Sequence, residues 1–509
     1  VPFSILFPDT YEGPRETPEA PDFFGDLNLD QVVDGITAGR DQYGLKPFFH
    51  TSLAGIDAVR YRQEVFRDLE NRGVRGPVET FSQAMAAMRE RLAQAEKLRY
   101  RYQKEAWFVD AVAVYGEAVA ALARDLQSTD VASRGLAAFR AHITSYARSA
   151  AFTSLWRELQ ELQTALSTVR YCLLIKGKHI RVRKYESETD YSADVAQTFA
   201  KFRQGAVKSY RVNFPDWPQM NHVEAAVLDL VAKLYPDVFA WLDEYCEKHR
   251  DFLDETVARF DREIQFYLAY LEYIGTAGRA GLPFCYPQVS VASKAIHSRD
   301  GFDLALAEKL VAANVPVVVN DFHLQGRERI LVVTGPNQGG KTTFARAFGQ
   351  LHFLAAMGCP VPGREARLFL FDRLFTHFGT EEDMENLRGK LEDDLVRIHR
   401  ILRRATPGSI IIMNEIFTST TLEDAVFLGK EVMNRIMALD ALCVCVTFID
   451  ELSSLSEKTV SMVGTVQPEN PTVRTFKIIR KAADGLSYAV SIAEKYRLTY
   501  ESLKGRLNP

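Results

Sequence analysis

The chain has 509 residues, with 62 Lys and Arg against 66 Asp and Glu, a formal charge of −4, and 47% hydrophobic and 25% charged residues. That length exceeds one ordinary core and predicts two or more domains, while the near-neutral balance offers no global basic field to advertise a nucleic-acid partner. No apolar run approaches the roughly 18 residues a membrane helix needs, and six dispersed cysteines without paired ligand spacing point to reduced thiols in a cytoplasmic protein rather than to a disulfide or metal framework.

The opening residues, VPFSILFPDTYEGPRETPEAPDFF, lack the basic start and long apolar stretch of a secretory signal, and residues 1–25 read as an extended, Pro-rich arm. Residues 26–168 read as almost wholly helical, a core or lever. Phe81, Met85, Met88 and Leu92 recur at three- and four-residue spacing there, which predicts a buried stripe with Arg89, Arg91 and Lys97 left to solvent.

Residues 169–221 change character. YCLLIKGKHIRVRKY joins two β-rich runs through a Lys-Gly-Lys turn and predicts a hairpin in a small inserted subdomain. Ten basic residues (Arg170, Lys176, Lys178, Arg181, Arg183, Lys184, Lys201, Arg203, Lys208, Arg211) face four acidic ones (Glu186, Glu188, Asp190, Asp194) within 170–211. Arg181 and Arg183 share one strand face, Ile180 and Val182 the other. Lys176, Lys178, Arg181, Arg183 and Lys184 are therefore candidates for contact with the DNA backbone, because such charges bind phosphate without reading bases. A charged strand edge that deters aggregation is the competing reading.

Helical patterning returns over residues 222–288 as a returning lever. Over residues 289–509, VPVVV, RILVVTG, LFLF, SIIIMNE, CVCVT and RTFKIIR alternate with helical stretches, predicting a mainly parallel α/β sheet. Cys443 and Cys445 fall on one face of the CVCVT strand as small buried side chains.

The segment ILVVTGPNQGGKTTFARAFGQL sets an apolar strand before Gly335, Pro336, Asn337, Gln338, Gly339, Gly340, Lys341, Thr342 and Thr343, with a helix after them. This is the context of a P-loop (Walker A): glycines let consecutive amides turn toward phosphate oxygens, the helix adds its positive end, Lys341 reaches the β and γ phosphates, and Thr342 is a ligand for Mg²⁺. About seventy residues later an apolar strand ends in Asn414-Glu415, in the manner of a Walker B strand. Glu415 is the candidate general base for the attacking water. Asn414 stands where an Asp normally holds the Mg²⁺ shell; its amide oxygen accepts a bond from metal-bound water but brings no charge.

GPNQGGKTT resembles the GPNMGGKST loop of the MutS family of mismatch-repair ATPases, and the similarity runs on through FARAFGQLHFLAAMGCPVPGREARLFLFDRLFTHFG, IIIMNEIFTSTTLEDA and RKAADGLSYAVSIAEKYRL. LNLDQVVDGITAGRDQYGLKPFFHTSLAGIDAVRYRQEVFRDL and FDREIQFYLAYLEYIG look like the family's helical core and returning lever. The resemblance implies an α plus α/β multidomain fold: a long-helix core with a small β-containing clamp-like insertion, then a P-loop ATPase domain of the ABC type. It implies ATP and Mg²⁺ as ligands, a homodimer with composite ATP sites, and DNA as partner. The family's mismatch-reading wedge, Phe-x-Glu, has no counterpart in the chain, so a clamp that contacts DNA backbone or structure without reading mismatches is the expectation.

Three positions depart from the family pattern. Asn414 replaces Asp. Gly389, Lys390 and Leu391 stand where members place the Ser-Thr-Phe that a partner subunit presents to the γ phosphate; Lys390 is either a charge supplied in trans or an exposed helix lysine. Phe448 stands at the family's switch histidine. These departures favour slow turnover, and they keep a second reading open: a nucleotide-dependent scaffold that gates a protein partner and has lost DNA binding.

Overall fold

A computed structural model describes residues 3–187, 220–379, 389–467 and 469–483. Lys201, Arg203, Lys208, Arg211, Glu188, Asp190 and Asp194 of the basic segment lie outside the described residues, as do parts of the GTEEDMENLRGK and RKAADGLSYAV stretches. The chain forms two compact units, one of Val1–Glu70, Ala132–Leu136 and Arg262–Pro509, the other of Asn71–Val131 and Ala137–Asp261.

The second unit is built on long helices, Arg72–Lys97, Arg101–Gln127 and Ala150–Ser167, followed by His222–Leu234 and Pro236–Lys248. Asn71 starts the first of them, its side chain accepting the Gly73 N–H. Phe81, Met85 and Met88 are buried as their spacing predicts. Arg89 departs from the expectation of a solvent-facing side chain: its guanidinium pairs with Asp261, which is buried and accepts the charge. Helix Arg101–Gln127 is a second correction. It is long and apolar enough to cross a membrane, because Ala and Val outweigh its scattered charges, yet half of that stretch is buried inside the protein. Gly116 on its inner face meets the Trp156 ring so closely that a β-carbon would sit 2.3 Å from ring atoms.

Strands Tyr171–Lys176 and His179–Lys184 form the predicted antiparallel hairpin, turning at Gly177 with φ +61°. Its register pairs Cys172 with Arg183 and Leu174 with Arg181, against Leu173 with Val182 and Ile175 with Ile180. One face is thus cationic and the other apolar, with Ile175 70% exposed.

The first unit holds a six-stranded sheet in the order Leu374–Phe378, Ile410–Asn414, Leu442–Val446, Ile330–Thr334, Thr459–Gln467, Asn470–Arg480. The first five run parallel and the last pair antiparallel. Strands Ile330–Thr334 and Leu442–Val446 are buried throughout, which is why they read as unbroken apolar runs. A four-stranded sheet carries Gln288–Ser290, Glu365–Phe369, Ile296–Gly301 and Asn320–Leu324. VPVVV, expected as a strand, is not one: Pro316 offers no N–H to a ladder, and pairing begins only at Asn320.

The arm is part of this unit's core. Ser4, Ile5, Leu6 and Phe7 are buried; the Ser4 hydroxyl and the Ile5 N–H both donate to the Glu263 carboxylate, at 2.9 and 2.8 Å. Arg62, fully buried on helix Ile56–Glu70, donates to the carbonyls of Leu6 (3.0 Å) and Met357 (3.1 Å) and lies against the Phe7 and Phe266 rings. The six cysteines are free thiols; burial holds Cys443 and Cys445 protonated, Cys445 being pushed up to about 12.

Two charge clusters yield tests. Burial pushes the Glu105 carboxyl up to about 7; Arg101 opposes the shift and Asp243 adds to it. The folded chain therefore holds this proton more tightly than the unfolded one, and its stabilising effect, complete below about pH 4.5, is lost as pH rises toward 7. Glu105→Gln is expected to raise the melting temperature at pH 8, by roughly 2–4 °C per kcal/mol gained, and to change it little at pH 4.5. Asp440 behaves oppositely. Burial would raise its carboxyl, but bonds from Lys294, Lys458 and Arg329, at 3.0, 3.1 and 3.0 Å, hold it at about 2. That contribution is present above pH 4 and fades as pH falls toward 2. Asn tolerates the left-handed backbone of position 440, φ +62°, so Asp440→Asn isolates the charge. Thermal unfolding should show the variant less stable at pH 7, with the gap closing in acid.

Candidate functional site

Parallel strands bring their carboxyl ends to one edge of the sheet, outside which α/β sheets bind ligands, and Ile330–Thr334 lies between Leu442–Val446 and Thr459–Gln467. Its last residue, Thr334, leads into Gly335 at φ +116°, where a β-carbon would sit 2.9 Å from the backbone N and O of Gly464. Only glycine fits. Gly340 closes the loop at φ +89°. Gln338, at φ +57°, holds a left-handed conformation with a side chain, a strain of about 1–2 kcal/mol.

Helix Lys341–Ala356 starts immediately after, and its N-terminus has no side-chain cap. Its first amides are left facing the loop, an arrangement suited to an anion. Lys341 is 4% exposed; its Nζ donates to the Gly335 carbonyl at 2.9 Å and the Pro336 carbonyl at 3.2 Å. Burial lowers this ammonium's hold on its proton, Glu415 counteracts the effect, and Arg474 reinforces it. The Phe448 ring caps the same ammonium, with Nζ 4.2 Å from its centroid, while remaining 47% exposed. Phe448 is brought there by Thr447, whose N–H donates to Val333 in the neighbouring strand at 3.1 Å.

The two residues expected at Mg²⁺ meet directly: Thr342 Oγ1 donates to Asn414 Oδ1 at 3.0 Å. An oxygen pair of hydroxyl and amide is a donor set that a hard divalent cation accepts. Glu415 follows Asn414 at φ +56°, its N–H bonded to the Val446 carbonyl at 2.9 Å. This left-handed step, repeated at Phe417, turns the chain sharply off the buried strand and leaves Glu415 half-buried beside Lys341. Backbone strain of this kind is tolerated where the surroundings over-determine it.

Gly335 through Thr343, Asn414 and Glu415 are thus gathered at one sheet edge. Lys390 is not brought to them by any described contact. It is half-buried in the first turn of helix Lys390–Arg404, beside Glu392 and Asp393, and the helix is held by Asp394, which accepts from His377 at 3.0 Å. The hairpin cations belong to the other unit. Lys176, Lys178, Arg181, Arg183 and Lys184 are all exposed; Lys184 lies on the apolar face, over the Tyr235 ring, so it does not join Arg181 and Arg183. Sequence reasoning missed Arg474, whose Nε donates to the Asn337 carbonyl at 3.2 Å. No spacing rule links residues 137 positions apart.

The C-terminal part matches the family model MutS domain V over residues 331–504. The chain is 25% identical over 299 residues to the DNA mismatch repair protein MutS of Thermotoga maritima, covering 57% of this chain and 36% of that protein. It is 32% identical over 182 residues to the MutS of Shouchella clausii, covering 35% and 21%, and 29% identical over 191 residues to that of Chlorobium phaeovibrioides, covering 36% and 22%. The matched part spans about a third of the length of the first relative and about a fifth of the other two. A glycine loop, a buried lysine and a Thr–Asn pair thus stand on one edge of a parallel sheet, in a C-terminal part that matches MutS domain V, and the similarity of the chain to MutS proteins extends beyond that domain.

Proposed function

We propose that the chain binds and hydrolyses ATP and uses it to gate a dimeric clamp that holds DNA by its backbone or structure without reading mismatches. The observation that carries the reading is the Thr342–Asn414 bond, since it joins the end of the phosphate loop to the end of the strand that bears Glu415. The relatives' printed role in DNA mismatch repair and the cationic hairpin face support DNA as the partner.

Lys341 already donates to two loop carbonyls, and phosphate oxygens of a nucleotide are stronger acceptors for the same ammonium. Exchange of partners costs little rearrangement. Thr342 and Asn414 fit Mg²⁺, Thr342 directly and Asn414 through water; the ion, when bound, neutralises phosphate charge. Asn414 contributes no charge of its own, so ion affinity and turnover are below those of a site with Asp there. Glu415 orients the attacking water and receives its proton. Lys390, presented by the partner subunit, adds positive charge at the γ phosphate. Nucleotide moves the clamp only through contacts that differ between open and closed dimers.

Calorimetry and phosphate release provide the tests. Lys341→Ala should abolish measurable ATP binding; Glu415→Gln should bind ATP normally and hydrolyse at least about 100-fold more slowly. Asn414→Asp should tighten Mg²⁺ dependence and raise turnover. Hydrolysis by Glu415→Gln at the wild-type rate would remove Glu415 from its role. For DNA, Arg181→Glu with Arg183→Glu should abolish most retention at low salt, and wild-type retention should fall steeply across a salt series. Unchanged binding by the double variant would discard the hairpin as the contact.

A further inference from the structure

The strand Asn470–Arg480 is irregular where it passes the phosphate loop. Its register with Thr459–Gln467 jumps from Gly464–Ile478 to Val466–Arg474, so Thr465 alone opposes Thr475, Phe476 and Lys477. Such bulges re-aim side chains next to functional sites. This one is fixed from several sides. Asn320 donates its amide to the Phe476 carbonyl at 3.2 Å and accepts the Ile478 N–H at 2.8 Å, while the Thr465 and Thr475 hydroxyls meet at 2.5 Å. Phe476 takes the left-handed conformation, φ +59°, that lets the strand rejoin its partner.

The bulge spans the loop. At one end Phe476 lies against Gly340, where a β-carbon would be 3.6 Å from the Phe476 carbonyl; at the other, Arg474 donates from Nε to the Asn337 carbonyl at 3.2 Å. That bond fixes the guanidinium beside the loop that Lys341 fills. Two cations from one chain therefore converge on six residues of backbone, Asn337 to Thr342; burial is the main cause of the weakened hold of Lys341 on its proton, Glu415 opposes it, and repulsion from Arg474 adds to it. A polyanion is the ligand that relieves that repulsion. The planar guanidinium matches phosphate geometry better than an ammonium does.

We propose that Arg474 is a nucleotide-positioning residue, a second positive charge that the bulged strand delivers to the phosphate site of its own subunit. The proposal rests on reading the loop as an ATP site and names a group that acts in cis, independent of any charge that a partner subunit supplies. A purely structural strap would need only a hydrogen-bond donor at position 474; a phosphate-directed role needs the charge.

The test separates these. Binding of MgATP is measured for wild type, Arg474→Gln, Arg474→Lys and Lys341→Ala, with unfolding midpoints taken on the same samples. Arg474→Gln keeps a donor without charge and should weaken MgATP by about 10- to 100-fold, with its midpoint unchanged; Arg474→Lys should retain most of the affinity. Wild-type affinity in Arg474→Gln, or equal losses in both Arg474 variants accompanied by lowered midpoints, overturns the assignment. Failure of the wild type itself to bind MgATP overturns the ATP reading instead, and tight binding by wild type with loss in Lys341→Ala upholds it whatever Arg474 does.

Discussion

Gly335 meets Gly464 backbone to backbone, and the geometry of the glycine loop follows from that contact. A strand that ended in any other residue would push the neighbouring strand away by the width of a β-carbon. Because strands Ile330–Thr334 and Thr459–Gln467 pair in parallel up to Thr334 and Val463, the loop leaves the sheet pressed against its neighbour and has one direction in which to curl. Lys341 then points back to the Gly335 and Pro336 carbonyls, and Thr342 falls within reach of Asn414.

The two edges of this sheet carry their charges differently. Arg329, Asp440 and Lys458 stand just before strands of this sheet, Lys294 just before a strand of the four-stranded one, and Asp440 gathers the three cations on one carboxylate. That edge is closed electrostatically. At the carboxyl ends, Lys341 donates to carbonyl oxygens under an aromatic face with the Glu415 carboxylate nearby, and Arg474 donates to a loop carbonyl. Phe448 matters here because a histidine's ring nitrogens would offer hydrogen bonds, whereas a phenyl ring offers only its π face.

Local features were legible in the sequence. The strand, glycine loop and helix over 330–356 are contiguous, so spacing alone predicted that order, and the hairpin's two faces followed from alternation at Ile180 to Arg183. Features made by long-range pairing were not. Arg89 looked solvent-facing because its partner, Asp261, is 172 residues away and buried. VPVVV carried strand-forming residues, but Pro316 denied the ladder a donor. Helix Arg101–Gln127 was built from Ala and Val, which serve a packed helix interface as well as a bilayer; Gly116 against Trp156 shows which. Arg474 was hidden by a bulge, since a change of register leaves no mark in hydrophobic periodicity.

Arg62 carries a consequence for how the chain is made. Its guanidinium donates to Leu6, fifty-six residues earlier, and to Met357, 295 residues later. During synthesis at about 5–20 residues per second, Arg62 is added to the chain roughly 15–60 s before Met357. For that interval a charged group destined for full burial remains in water, and the first seventy residues have no completed core to join. The unit of Asn71–Val131 and Ala137–Asp261 has all its segments emerged well before then. The segment translated first therefore waits for one of its partners until the residue that ends helix Lys341–Ala356 has been added.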